Sequence, residues 1–390
     1  MNTNIYIKQR IDRKWSNPFL EKNMDFDKLQ EKIENIYARE RADMGQKDVD
    51  KIAECIAISD NYKKIGLEGI SKSWSPFKFM RGVVNYGKGR VMDVFISHNI
   101  LHGQFDTLDD DKYYSVAWDF SGPVDTLGWK RAHNGMHHGY TNIATKDPDL
   151  AHGILRTTSD IPWHPFHLFQ SFYYFFFVYP TMLGSFDDYS SGSVELHRKK
   201  ILKEGNKGYC ITSPSGIECS EEEFAQAKEE QKTTRATWEK ENVHDIVASS
   251  DSKIRTYIGL KLAEVFANYE ISITIQPTHQ AEEKYPPDYF PKSKGEWYHM
   301  QMVTTRNYEL DDVYKLNYYG GLNYQIEHHL FPDLPWWRYQ AVSKEIQEIC
   351  KEFDIPYNAD KTRTQTFIRF AKEVLKYSLP DGIRKIIYKN

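Results

Sequence analysis

Leu29, Ile33, Ile36 and Tyr37 fall at the spacing of one helix face, and after Gly45 the same spacing resumes at Val49, Ile52 and Ile56. Both predicted helices carry charged outer faces, so residues 1–75 are expected to form a polar helical arm or cap behind an irregular start up to residue 24. Two short helices are too little to claim a heptad-paired partner. From Phe77 to His98 the pattern is apolar but interrupted by Lys78, Arg81, Lys88, Arg90 and Asp93. Ile254 to Thr278 behaves the same way, with Arg255, Lys261, Glu264 and Glu270 inside it. Between them, Ile161 to Phe186 has no Asp, Glu, Lys or Arg and includes the aromatic run Phe172 to Tyr179. A span needs about 20 residues, so this stretch is long enough, but Pro162, Pro165 and Pro180 oppose one continuous helix. A membrane span and a buried aromatic helix both remain open for it.

Residues 187–252 are polar and read as an insertion. Ser220 with Glu223 has the form of a capping box, predicting a solvent-exposed helix after it, and the Ser-Pro-Ser-Gly turn within 209–219 predicts a hairpin. Helical spacing returns at Val342, Ile346 and Ile349, and 358–390 reads as a helical tail. The chain thus divides into 1–75, a central 76–357 and 358–390. Mean hydropathy of -0.66 and 40% hydrophobic residues are low for a protein of many spans. A net charge of -4 gives no basic surface for nucleic acid. Cys55, Cys210, Cys219 and Cys350 lack metal-site spacing; Cys210 and Cys219 could bridge in an oxidising compartment, reduced thiols being the plainer reading. No apolar core with a small-residue cleavage site opens the chain, so no signal peptide is expected.

The chemistry lies in the histidines. Of fourteen, two form HNILH (His98, His102), three form HNGMHH (His133, His137, His138), and His328 and His329 follow Gln325 in QIEHHLFPDLP. On a helix, positions i, i+3 and i+4 share a face, so Gln325, His328 and His329 can approach one spot. Adjacent histidines sit about 100° apart around a helix, an arrangement that suits two metals side by side. Imidazole binds iron, zinc, copper and nickel, so ligand type alone leaves the metal open. A lone pair of this kind is as readily a surface feature; three ordered clusters are not. The isolated dyad His244-Asp245 is half of a hydrolase metal site at most, with no second half in view.

With the boxes in order, the chain resembles the membrane fatty-acid desaturase and hydroxylase family, in the branch whose third box opens with glutamine, and it is similar to bacterial acyl-CoA and acyl-lipid desaturases. The likeness runs from about Pro76 to about Tyr357 through HNILHGQFD, HNGMHHGYTNI, EWYHMQ and QIEHHLFPDLP. It implies an all-α helical bundle with a histidine-rich diiron site beneath a polar cap, and desaturation of a fatty acyl chain, CoA- or lipid-bound, with O2 as co-substrate. Hydroxylation on the same site and a non-catalytic metal scaffold are the alternatives. The ligands it implies are His98, His102, His133, His137, His138, His328 and His329, with His279 as the single histidine between the second and third boxes. Gln325 stands where other branches carry histidine. His152, His164, His167, His197, His244 and His299 match no ligand position. Desaturation needs a redox metal, which zinc is not. Carboxylates commonly orient metal-bound imidazoles, and Asp106, Glu327 and Asp147 are the candidates; Trp118, Trp129 and the Phe172–Tyr179 run could line an acyl tunnel.

The family has four spans, with the metal site on the cytoplasmic side of the membrane. This chain does not show them, because a charge at a span centre costs about 2.5–3.5 kcal/mol. Membrane association with lipid contact is the expectation from the resemblance, and a soluble form the expectation from hydropathy. No His-Pro-Gly-Gly haem motif and no dinucleotide glycine fingerprint occurs, so electrons are expected from a separate reduced carrier such as a ferredoxin or a cytochrome.

Overall fold

The computed structural model describes residues 24–108, 110–144, 146–150, 155–159, 161–190, 220–310 and 313–388. The hairpin expected within 209–219 and the Cys210–Cys219 pair lie outside them. The described chain is helical almost throughout, with two-residue strands Asn307–Tyr308 and Ala359–Asp360 paired in parallel.

Helix α1 (Phe26–Ala42) starts at Asp25, whose side chain accepts from the Lys28 amide, and it buries Leu29, Ile33 and Ile36. The break at Gly45 ends the first pattern, and α2 (Gln46–Lys72) follows, with the Asp48 carboxylate accepting from the Gly45 amide at 3.0 Å. Proline at the first turn of α3 (Pro76–Leu101) costs nothing, since that N–H has no helical partner. Helix α2 lies along α3, and α5 (Lys253–Ile275) packs on both. The approach is close enough to require glycine: a Cβ on Gly82 would sit 2.7 Å from the Ile70 amide nitrogen, and one on Gly259 2.4 Å from the Ile70 side chain.

Three of the charges that interrupt the apolar stretches, Arg90, Asp93 and Glu264, are paired between these helices. Arg90, only 4% exposed, donates to Glu264 of α5 at 3.0 Å, to Asp93 at 3.1 Å and to the Ser121 carbonyl at 3.0 Å. Lys63 of α2 reaches Asp93 at 2.8 Å. Helix α4 (Glu221–Glu239) begins on the predicted capping box, Ser220 and Glu223 bonding each other's backbone, and exposes most of its length.

The uncharged stretch is neither a span nor one buried helix. It breaks into a 3-10 turn at Pro165–Phe169, one α turn, a π turn at Tyr174–Val178, a second 3-10 turn at Tyr179–Thr181 and a short helix at Met182–Ser190. Tyr174, Val178 and Tyr179 point inward while Phe169, Phe172, Phe176 and Phe177 are exposed. Among the described residues no helix is long and apolar enough to cross a membrane.

The C-terminal part supplies α6 (Lys294–Thr304), α7 (Gln325–Leu330), α8 (Tyr339–Glu352), α9 (Arg363–Ser378) and α10 (Asp381–Ile387). Phe331 and Pro332 end α7 where the sequence places the stop. Arg338, just before α8, donates to Asp48 at 2.8 Å, Asp43 at 3.0 Å and Glu40 at 3.1 Å, so the α1–α2 turn is clamped onto the segment that follows the third histidine box.

Candidate metal centre

His98 lies in the last turn of α3 and His102 is its C-cap. The second box is not α-helical. Lys130–His137 forms π-helical turns, and the His138 amide bonds the His133 carbonyl at 3.1 Å. An i→i+5 repeat brings both i+4 and i+5 beside i, so His133, His137 and His138 face one interior together. His279 sits in the short helical turn that Pro277 begins just beyond α5, and His328 and His329 in the last turn of α7.

All eight histidines converge. Ring nitrogens of His98, His102, His133 and His328 lie within 4.8 Å of one another, as do those of His137, His138 and His329, and a third such group joins His133, His137 and the Asp149 carboxylate. The neighbours His328 and His329 part between the first two groups. His279 closes on the second, its ring centre 4.8 Å from that of His137 and 4.7 Å from that of His329. Gln325 is buried and bears on His279, with no partner for its own Oε1.

Four of the eight rings are gripped on the outer nitrogen. His137 Nδ1 meets Asp147 at 2.9 Å, His133 Nδ1 meets Asp149 at 3.2 Å, His329 Nδ1 meets Gln301 Oε1 at 2.9 Å, and His328 Nδ1 meets the Tyr339 hydroxyl at 3.4 Å. Their inner nitrogens face the cluster. Nε2 of His102, His133, His137 and His329 and both ring nitrogens of His138 are buried with no hydrogen-bond partner, and Nε2 of His98 and His328 face each other at 3.2 Å. Unpartnered buried acceptors are costly. So many aimed at one interior form groups that could hold metal, and the first two of those groups share no residue.

The field supports neutral rings. Burial, then the neighbouring histidines, holds His98, His102, His138, His279, His328 and His329 well below the ordinary imidazole range. His137 is the exception: burial pulls it down, but the charges of Asp147 and Asp149 outweigh it and raise it to about 9.

Of the carboxylates expected to orient ligands, Asp147 does so. Asp106 instead accepts from the Ser115 amide and hydroxyl, both at 2.7 Å, and shapes a loop. Glu327 is buried, pushed up to about 7 by that burial, and accepts from Asn307 at 2.7 Å and Tyr357 at 2.9 Å. It lies between ligand-bearing positions on a short helix, yet its contacts lead away from them. Sequence reasoning missed Asp149 and Gln301, although both stand in segments it singled out. It also gave no role to Asn142, which adopts φ 56°. Its amide nitrogen Nδ2 donates to the carbonyls of His279, Glu283 and Thr304, tying the second box to the His279 turn and to α6.

His164 and His167 belong to the 3-10 turn at 165–169, His244 is exposed, and His299 is buried with Phe26 against its ring edge. Asp245 pairs with Lys240, so the His244-Asp245 dyad forms no site; His152 and His197 lie outside the described residues. Trp129 stacks on His133 with ring centres 4.7 Å apart, and Trp118 packs in the core away from the histidines, against Tyr113. The exposed phenylalanines of 172–177 form no tunnel wall. A cavity of about 400 Å³ opens beyond the His279 turn, but its lining of Glu282, Glu283, Lys284, Glu373 and Thr158 is too polar for an acyl chain.

A sequence model of the family described as fatty acid desaturase matches residues 260–361, the stretch that carries His279, Gln325, His328 and His329. Over 367 residues the chain is 26% identical to a Mycobacterium tuberculosis protein named NADPH-dependent stearoyl-CoA 9-desaturase, covering 92% of this chain and 81% of that one. It is 25% identical to an acyl-lipid (8-3)-desaturase of Physcomitrium patens over 285 residues, 69% of this chain and 54% of that one. It is also 25% identical to an sn-1 linoleoyl-lipid 6-desaturase of Arthrospira platensis over 275 residues, 68% of this chain and 69% of that one. With three ordered histidine boxes brought together in an all-α fold, the chain is similar to fatty acid desaturases along most of its length.

Proposed function

We propose that this protein is an oxidoreductase that introduces a double bond into a fatty acyl chain, CoA- or lipid-bound, at two irons held by the eight converging histidines. The observation that carries the reading is the convergence of the ring nitrogens on one interior, with the outer nitrogens of His133, His137, His328 and His329 bonded. His98, His102, His133 and His328 would hold one ion, and His137, His138, His329 and His279 the other.

Bound there, two irons supply the redox capacity that lets O2 remove hydrogen from an unactivated methylene. The overall reaction consumes the acyl chain, O2, two electrons and two protons, and yields the alkene and two waters. The electrons come from a separate reduced carrier such as a ferredoxin or a cytochrome, with NADPH upstream as in the name of the mycobacterial relative. On this reading the metal side faces the cytoplasm. What the chain itself contributes is placement. Asp147, Asp149, Gln301 and Tyr339 fix His137, His133, His329 and His328 against rotation, and burial favours the neutral, binding-competent form of His98, His102, His138, His279, His328 and His329.

Lipid analysis of cells expressing the protein tests the reading. Cells carrying the wild type should accumulate a cis-unsaturated fatty acid that cells carrying His329→Ala lack, at equal protein levels. Fatty acids unchanged by the wild type, in cells where it is iron-loaded and a donor is supplied, would count against it.

A further inference from the structure

The segment after the second histidine box reaches both halves of the metal centre through one residue. Asp147, Pro148 and Asp149 pass behind the rings, and Pro148–Leu150 forms a 3-10 turn. The rings of His133 and His137 lie side by side, their centres 5.1 Å apart and their planes 30° from parallel. One oxygen of Asp149 stands behind both, 3.2 Å from His133 Nδ1 and 3.9 Å from His137 Nδ1. The Asp149 amide donates at 2.8 Å to the same Asp147 oxygen that meets His137 Nδ1 at 2.9 Å. The Asp149 carbonyl accepts from Gln280 Nε2 at 3.2 Å, and Gln280 directly follows His279. On the proposed assignment His133 serves one ion, while His137 and His279 serve the other. Asp149 is tied to both halves.

Charge points the same way. All eight ligand positions are imidazoles, so the ligands bring no negative charge of their own. Asp147 and Asp149, both buried, touch the ring set, whereas Glu327 turns to Asn307 and Tyr357 and Asp106 to Ser115. A bound cation is the largest charge in such a site, and a buried charge without a counter-charge is costly. A second ion beside the first meets repulsion that these two carboxylates offset. We propose that Asp149 is a positioning residue that couples the two halves, so that two ions load together and a one-ion form stays sparse. A cation on His133 Nε2 polarises that ring and draws its Nδ1–H onto Asp149. This fixes the turn, and with it His137 and the Gln280 amide beside His279. The second half is then ordered before its own ion arrives, which is positive cooperativity.

The other outer partners each serve one half. Asp147 bonds His137, Gln301 bonds His329 and the His138 carbonyl, and Tyr339 bonds His328. Had Asp149 met a single ring as they do, its loss would weaken one ion and leave the other alone. Its place between two stacked rings of different halves is what makes it a coupling group. The inference rests on the two-ion reading.

Native mass spectrometry of the purified, metal-free, full-length protein, given Co(II) in steps, decides it. With a coupling of about tenfold, the one-ion form makes up about a quarter of the protein at half saturation, where independent halves give about half. The wild type should show the smaller share. Asp149→Asn keeps an acceptor for His133 and removes the charge. It should raise the one-ion form to about half or more, with saturation still at two ions and the melting temperature of the metal-free protein unchanged. A merely structural role would instead lower that melting temperature and leave the distribution alone. Asp106→Asn, at the Ser115 loop, should load as the wild type does. A wild-type one-ion share of about half or more overturns the proposal, and this measurement stands if Asp149→Asn misfolds. An Asp149→Asn distribution equal to that of the wild type overturns it as well. In both cases saturation at two ions leaves the two-ion reading intact, whereas a wild type that saturates at one ion or none overturns the two together.

Discussion

His329 is held from two directions: Gln301 Oε1 accepts at 2.9 Å on its Nδ1, and the same oxygen accepts from the Thr141 hydroxyl at 2.8 Å. Gln301 Nε2 in turn donates to the His138 carbonyl at 3.1 Å, so one amide fixes rings from the second and third boxes. Gln301→Leu should therefore lower metal affinity about 10–100-fold, while Gln301→Glu, which keeps the acceptor, should retain most of it. Iron content after dialysis against graded chelator measures this, with His244→Ala as the exposed control; equal retention in Gln301→Leu would show the amide to be dispensable. The box histidines themselves were legible because helical spacing is a local property. Their outer partners were not. Asp147, Asp149 and Asp106 look alike in sequence, and only the path of the loop after the π turn decides that the first two reach a ring and the third caps Ser115.

At the scale of elements, the legible parts were those set by short-range chemistry: the α1 and α2 faces, the Ser220 capping box, and the Phe331-Pro332 stop. Two features were hidden. An α-helical face does not hold both i+4 and i+5, and the π turn at Lys130–His137 resolves what spacing alone leaves open. The charges in α3 and α5 looked like flaws in apolar helices because their partners lie on different helices, Arg90 with Glu264 and Lys63 with Asp93. Removing Arg90 leaves Glu264 without its cation in a mostly buried place, while Asp93 keeps Lys63. Arg90→Ala should cost about 3–5 kcal/mol, read as a lower urea midpoint at unchanged slope, while Lys351→Ala at an exposed pair should leave the midpoint where it is. A small shift for Arg90→Ala would mean that water replaces the pairing.

For the whole molecule, the histidines come from segments far apart in the chain, on α3, the π turn, the turn after α5, and α7. Such a constellation exists only in the folded state, so metal held as proposed would stabilise that state. Iron should raise the melting temperature, by the equivalent of about 2.7 kcal/mol at a hundredfold excess over the dissociation constant, and chelator should reverse the rise. His137→Ala should melt at the same temperature with and without iron. The all-α architecture and the three boxes were legible together. The central claim is the reaction. Purified, iron-loaded protein, given a deuterium-labelled acyl substrate, O2 and a reduced carrier, should yield a product that mass spectrometry finds lighter by two hydrogen isotopes lost from adjacent carbons. The same protein with His329→Ala should yield none. A product heavier by one oxygen with no loss of a second hydrogen, or an unaltered substrate beside a filled iron site, would contradict desaturation.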